Sequence, residues 1–152
     1  MRILAIESSC DETSAAVIEN SQVLSNVISS QYFHGKYGGV VPELASRAHL
    51  KIVSGITQDA LDKAQTDMQS ISAIAVTAEP GLIGSLIVGS NFAKGLAIKY
   101  NKPIVPVNHI EGHIFSGFLQ EEEVEFPFVN LVVSGGHTAI FLVESFNDYK
   151  II

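Results

Sequence analysis

The chain has one cysteine, Cys10, and no tryptophan among its 152 residues. A single thiol cannot close an internal disulfide, so a disulfide-stapled secreted scaffold is excluded and a reducing compartment is expected. Charged residues make up only 16% of the chain, and acidic residues outnumber basic ones by 16 to 9, for a formal net charge of -7. A surface built mainly to coat nucleic acid would carry the opposite balance. RNA remains compatible as a substrate if local basic patches or a partner supply the phosphate contacts. Part of the acidic excess is gathered at Glu121, Glu122, Glu123 and Glu125. No apolar run reaches the roughly 18 residues of a membrane helix. The first residues, Met1-Arg2-Ile3-Leu4-Ala5-Ile6, meet Glu7 too soon for a signal peptide. They read as a mature, cytoplasmic N-terminus with no membrane partner.

Hydrophobic residues form 47% of the chain, enough for a real core, and the length favours one domain. Residues 2–7 and 13–19 are apolar and β-branched, and the polar run Ser8-Ser9-Cys10-Asp11-Glu12 between them predicts a hairpin. Residues 22–30 follow as a third strand. A glycine-rich aromatic loop covers residues 32–41, and Pro42 suits the first position of a helix. Leu44, Ala48, Ile52, Ile56, Ala60 and Ala64 recur every four residues, which predicts an amphipathic helix to about Lys63. Residues 72–77 and 103–107 read as buried strands, with helices after each, over about 85–100 and 109–119. Residues 128–133 and 138–143 form a second strand pair around Ser134-Gly135-Gly136-His137. Strands alternating with helices imply an α/β sheet with crossover helices.

The run ILAIESSCDETSAAVIE near the start is echoed by VNLVVSGGHTAIFLVE near the end, with Thr13 matching Thr138 and Glu19 matching Glu144. Such spacing suggests two copies of one domain, the second represented by its opening hairpin. We therefore divide the chain into residues 1–120 and residues 121–152. An isolated hairpin is marginally stable in water, so either it completes the first lobe or, as we expect, the remainder of a second lobe is missing.

The sharpest chemical motif is Asn108-His109-Ile110-Glu111-Gly112-His113. On a helix His109 and His113 share a face and can both ligate a cation. Paired imidazoles suit iron or zinc better than magnesium or calcium, and a further ligand must come from elsewhere. Equally, one histidine could cap the helix and the other face the core. Glu111 is rotated about 200° from His109, so the arrangement is not that of a zinc-protease helix. Both hairpin turns carry small or hydroxylated residues, and Gly135-Gly136 would let a phosphate or acyl-adenylate approach the backbone. Asp11 and Glu12 repel phosphate, but could hold a metal-bound water, orient an amine or act as a base. Glu79-Pro80-Gly81-Leu82-Ile83-Gly84-Ser85 lacks the Gly-Lys-Ser/Thr ending of a P-loop, so close packing of helix on sheet is its expected role. Arg47 and His49, after the Tyr37-Gly38-Gly39 loop, could contact substrate or belong to an ordinary helix start.

Together ESSCDETS, YGGVVPELASRAH, TAEPGLIGSLIVG, NHIEGH and FPFVNLVVSGGHT resemble the TsaD family of tRNA N6-adenosine threonylcarbamoyltransferases, over nearly the whole chain. The resemblance implies the N-terminal lobe of an actin-like (ASKHA, ribonuclease H-like) α/β fold, plus the opening hairpin of a second, truncated lobe. It implies transfer of threonylcarbamoyl from threonylcarbamoyl-AMP to N6 of the adenosine 3′ of the anticodon in tRNAs reading ANN codons. By position, His109 and His113 would be metal ligands. Val132, Val133, Ser134, Gly135 and Gly136 would line the substrate site, and Asp11 and Glu12 would be needed for turnover. The implied cofactor is one divalent metal ion, iron first with zinc or magnesium as alternatives, beside a substrate adenylate or ATP. Implied partners are a TsaB-like paralogue docking on helices of this lobe, a TsaE-like ATPase and tRNA, with a homodimer as a further option. Because the family's second lobe carries another metal ligand, the chain alone is expected to be inactive. Two other readings are an ASKHA small-molecule kinase, which needs no paired histidines, and a non-catalytic scaffold of the modification complex, which needs no metal.

Overall fold

The computed structural model describes residues 1–31, 38–119, 124–134 and 138–152. The chain divides into two compact units, Met1–His109 and Ile110–Ile152. In the first, β1 (Arg2–Glu7), β2 (Glu12–Glu19) and β3 (Gln22–Ser30) form an antiparallel meander. Helix α1 (Pro42–Lys63), β4 (Ala73–Glu79), α2 (Ile83–Tyr100) and β5 (Ile104–Asn108) follow. The sheet runs β3-β2-β1-β4-β5, with β4 parallel to both its neighbours. Two-residue alternation buries Leu4 and Ile6 of β1 and Thr13, Ala15 and Val17 of β2. The apolar ones, Leu4, Ile6, Ala15 and Val17, join Val53 and Leu61 of α1, Ala93 of α2 and Ile74 and Val76 of β4 in the core. Asn101 takes a left-handed conformation and ends α2.

The fully buried row of α1 runs one position later than the apolar repeat, through Ala45, His49, Val53, Thr57 and Leu61. Leu44, Ala48, Ile52, Ile56 and Ala64 sit half-buried along its border, while Ala60 is fully buried. On this row Ala45 is small, and the His49 ring is satisfied by the Cys10 carbonyl and the Thr13 hydroxyl. The Thr57 hydroxyl is buried without a hydrogen-bond partner among the described residues. Arg47 lies exposed on the outer side, ion-paired with Glu43 at 2.9 Å.

Helix α3 (His109–Ile114) spans the division between the units. It is shorter than the 109–119 expected, and Ser116–Leu119 form a 3₁₀ turn instead. Gly112 and Gly117 weaken helical propensity, and the Ser116 hydroxyl donates back to the His113 carbonyl at 2.9 Å. The second unit then builds β6 (Phe128–Val133), β7 (Thr138–Ser145) and β8 (Asp148–Ile151) into an antiparallel sheet. Its core is Ile114, Val132, Phe141 and Val143. Beside it Phe115, Phe118, Phe126, Phe128 and Phe146 pack ring on ring, the nearest pair (Phe118 and Phe146) at 4.9 Å between centroids.

The internal repeat reappears in the hydrogen-bond ladders. Ile3↔Ile18 and Leu4↔Val17 of the first hairpin correspond to Phe128↔Val143 and Val129↔Leu142 of the second, each 125 positions later. Strand β8, which the sequence pattern did not reveal, extends the correspondence: Ala16↔Asn26 is matched by Phe141↔Ile151.

Candidate functional site

The β1–β2 turn is held from beneath. Ser8 and Ser9 are buried, and the Ser8 hydroxyl donates to the Ser85 carbonyl at 2.9 Å. Three successive carbonyls are then fixed by donors from other elements. Ser9 O accepts from the Leu82 N–H at 2.7 Å. Cys10 O accepts from Ser85 Oγ at 3.3 Å and His49 Nε2 at 3.0 Å. Asp11 O accepts from the Gln31 N–H at 3.2 Å. With those oxygens engaged, the Cys10 and Asp11 side chains sit at the rim, Cys10 exposed and Asp11 half-buried. Glu12 opens β2, exposed, and accepts from Ser30 Oγ at 2.7 Å.

Glycine makes this approach of helix to turn feasible. A Cβ on Gly81 would stand 2.6 Å from Ser9 O, and one on Gly89 would stand 2.3 Å from Ser8 Oγ. The Glu79–Ser85 segment is thus a packing device at Gly81, as its lack of a P-loop ending suggested.

Glu7, at the end of β1, is a residue the sequence reading passed over. Its carboxylate accepts from the Ser9 N–H and the Thr77 hydroxyl, both short contacts, and faces His109 Nδ1 at 3.2 Å. Burial alone would raise its pKa, but the hydrogen bonds from Ser9, Thr77 and His109 outweigh that and hold it below its ordinary value. A carboxylate can only accept, so Nδ1 of His109 carries a proton toward Glu7. Ser9 Oγ also lies 3.3 Å from Nδ1. This is the outer arrangement typical of a metal-ligating histidine, oriented by a carboxylate on its other nitrogen. The donor chemistry at His109 therefore fits a borderline metal. His113 follows on the same short helix, half-buried and within the second unit. Among the described residues no three His, Cys, Asp or Glu side chains converge as a metal cluster.

Glu111 is turned to β8, where the Tyr149 hydroxyl donates to its carboxylate. That hydrogen bond, with some burial, raises the Tyr149 pKa. Glu111 is thus committed to a structural partner, in keeping with its expected orientation. Val132 is buried in the second unit's core, whereas Val133 and Ser134 are exposed. Gly135 and Gly136 lie outside the described residues, as does Tyr37. His49 has no exposed surface, so of its two sequence readings the substrate contact is excluded.

A family model described as TsaD, tRNA N6-adenosine threonylcarbamoyltransferase, matches residues 22–152. A tRNA N6-adenosine threonylcarbamoyltransferase from Chlamydia felis is 52% identical over 153 aligned positions, covering 100% of this chain and 44% of the relative. The chain spans under half the length of the curated relatives it matches. Among solved structures, YeaZ from Pseudomonas aeruginosa superimposes with a TM-score of 0.65 at 13% identity, covering 100% of this chain and 66% of that one. A ROK hexokinase from Thermus thermophilus gives 0.52 at 16% identity, covering 100% of this chain and 49% of that one. These likenesses show the actin-like ASKHA fold. With the family model matching most of its length, the chain belongs to the TsaD family of tRNA N6-adenosine threonylcarbamoyltransferases.

Proposed function

We propose that this chain supplies the first part of a threonylcarbamoyl transferase site, acting on threonylcarbamoyl-AMP and N6 of the adenosine 3′ of the anticodon in tRNA. The observation that carries the reading is the carboxylate-oriented imidazole of His109, whose Nδ1 is tied to Glu7 at 3.2 Å on the two-histidine helix. His109 and His113 would hold a divalent metal, iron first and zinc as the alternative by donor type. When bound, such an ion stabilises negative charge on phosphate or carbonyl oxygens. Asp11, at the rim of the pinned turn, takes the proton that N6 loses as its nitrogen bonds the carbamoyl carbon. The bond from that carbon to the phosphate oxygen of AMP breaks, and AMP leaves with the electron pair. Glu12, the next residue, has its carboxylate tied to the Ser30 hydroxyl. Val133 and Ser134 would meet the substrate, together with Gly135 and Gly136.

A paralogue of the same fold is the proposed partner. The likeness to YeaZ supports it, as do the exposed Leu50 on α1 and Ile83 and Ile87 on α2. An ATPase of the TsaE type completes the proposed assembly. Among the described residues no helix is long and apolar enough to cross a membrane. The cytoplasm, where tRNA is modified, is the proposed setting.

The test is transfer itself. A protein that joins this chain to the second lobe of its relatives is given unmodified tRNA, threonylcarbamoyl-AMP, ferrous iron and the paralogue, and nucleosides are read by mass spectrometry. Threonylcarbamoyladenosine that disappears in both His109→Ala and His113→Ala supports the proposal. Phosphorylation of a small molecule that survives both substitutions would establish the kinase reading in its place.

A further inference from the structure

Between α1 and the turn lies a buried histidine that the proposed transfer does not touch. His49 has no exposed surface, yet both its ring nitrogens are engaged. Nε2 lies 3.0 Å from the Cys10 carbonyl oxygen, and Nδ1 lies 2.7 Å from the Thr13 hydroxyl. A carbonyl oxygen has no proton to give, so Nε2 must be the protonated nitrogen. Nδ1 then receives the Thr13 hydroxyl, itself fully buried at the start of β2. The same Cys10 oxygen also accepts from Ser85 Oγ at 3.3 Å. Both lone pairs of one peptide oxygen are therefore spent, one on a donor from α1 and the other on a donor from α2.

That peptide joins Cys10 to Asp11, and Thr13 stands two residues beyond. We propose that His49 is a positioning residue for the Asp11 carboxylate: its Nε2–H fixes the plane of the Cys10–Asp11 peptide while its Nδ1 anchors the chain just after Glu12. The proposal rests on the reading that Asp11 serves the transfer, and it adds the group that aims it. A histidine kept only to fill the core would need volume at this point. A positioning histidine needs a donor at the Nε2 location, and that difference separates the two.

Glutamine places its amide near the position of Nε2, asparagine near that of Nδ1, and leucine places no polar group at all. Cys10 provides a reporter in the chain as it exists: its side chain is exposed, while partial burial and its contacts with Asp11 raise the thiol's pKa. Freeing the turn removes those contacts, the thiolate fraction rises, and alkylation then quickens. Iodoacetamide reacting with Cys10 should be faster by about threefold or more in His49→Leu and His49→Asn, and near the wild-type rate in His49→Gln. Val53→Ala, on the same buried row, should leave the rate unchanged. In unsubstituted protein, ¹⁵N NMR should show His49 protonated at Nε2, with coupling across the hydrogen bond to the Cys10 carbonyl. In the transfer assay kcat should fall in the same order as the alkylation rates rise, with KM for the adenylate little changed. Equal alkylation in all three His49 variants, or a proton found on Nδ1 alone, would overturn the proposal. Absent transfer with the alkylation order intact would instead remove the reading of function and leave the positioning role standing.

Discussion

Replacing Gly81 by alanine and Gly95 by alanine should move stability in opposite directions, although both add one methyl group. At Gly81 the new Cβ would meet Ser9 O at 2.6 Å, Ser9 Cβ at 2.8 Å and Ser9 Cα at 3.0 Å. All three atoms belong to the turn's own backbone or its root, so no side-chain rotation relieves the clash. The turn must withdraw, and the 2.7 Å hydrogen bond from Leu82 N–H to Ser9 O goes with it. Overpacking of this kind costs about 1–3 kcal/mol, and the lost hydrogen bond about 0.5–1.5 kcal/mol. The stiffer unfolded chain returns roughly 0.4–1 kcal/mol, so a net loss of about 0.5–4 kcal/mol is expected for Gly81→Ala. At Gly95, inside α2, a Cβ meets nothing within 4 Å. There helix propensity acts alone, for a gain of up to about 1 kcal/mol. Urea unfolding followed by circular dichroism reads both changes as shifts of the midpoint at constant slope. A Gly81→Ala midpoint at or above wild type would refute the claim that this glycine is required by the close approach of Ser9.

Glu7→Gln should flatten the acid limb of the stability curve. The folded carboxyl sits below its ordinary value of 4.5, so the unfolded chain takes the proton first. The stability Glu7 contributes is full above that value and is lost as pH falls through the lower folded value; urea midpoints measured at a series of pH values check this. Tyr149→Phe keeps the ring contact with Phe115 but removes the donor to Glu111. A loss of about 1 kcal/mol is expected from thermal melts, and an unchanged melt would show that the bond contributes nothing. Val129, Leu131 and Val133 leave one face of β6 exposed at 62%, 62% and 68%. Leu131→Lys should raise the concentration at which light scattering still reports a monodisperse protein.

Much of the first unit could be read from period and punctuation. Alternation marked β1 and β2, and Pro42 marked the start of α1 at the position where it begins. The helical face was displaced by one position because apolar residues flank the contact while His49 and Thr57 occupy it. Hydropathy cannot anticipate a polar side chain whose partner, here Cys10 O, lies 39 positions away. The same limit hid Glu7, which looks like a strand end in sequence and acquires meaning only opposite His109 and Thr77. Strand β8 escaped because Asp148-Tyr149-Lys150-Ile151 is short and polar, and its pairing with β7 is what makes it a strand. The histidine motif itself was plain, since four-residue spacing is a local property of a helix.

The shared ladder of the two hairpins has one more consequence. Glu7 pairs with Ser14, and 125 positions later Val132 pairs with Ala139. At this matched position the opening strand thus carries a carboxylate gripping an imidazole in one copy and an aliphatic wedge among Phe141 and Val143 in the other. With the two backbones in the same register, this divergence of role is written in side chains alone. An exchange of Glu7-Ser14 for Val132-Ala139 would move a polar anchor between copies without redrawing a strand, as expected of a duplicated unit whose halves have divided their labour.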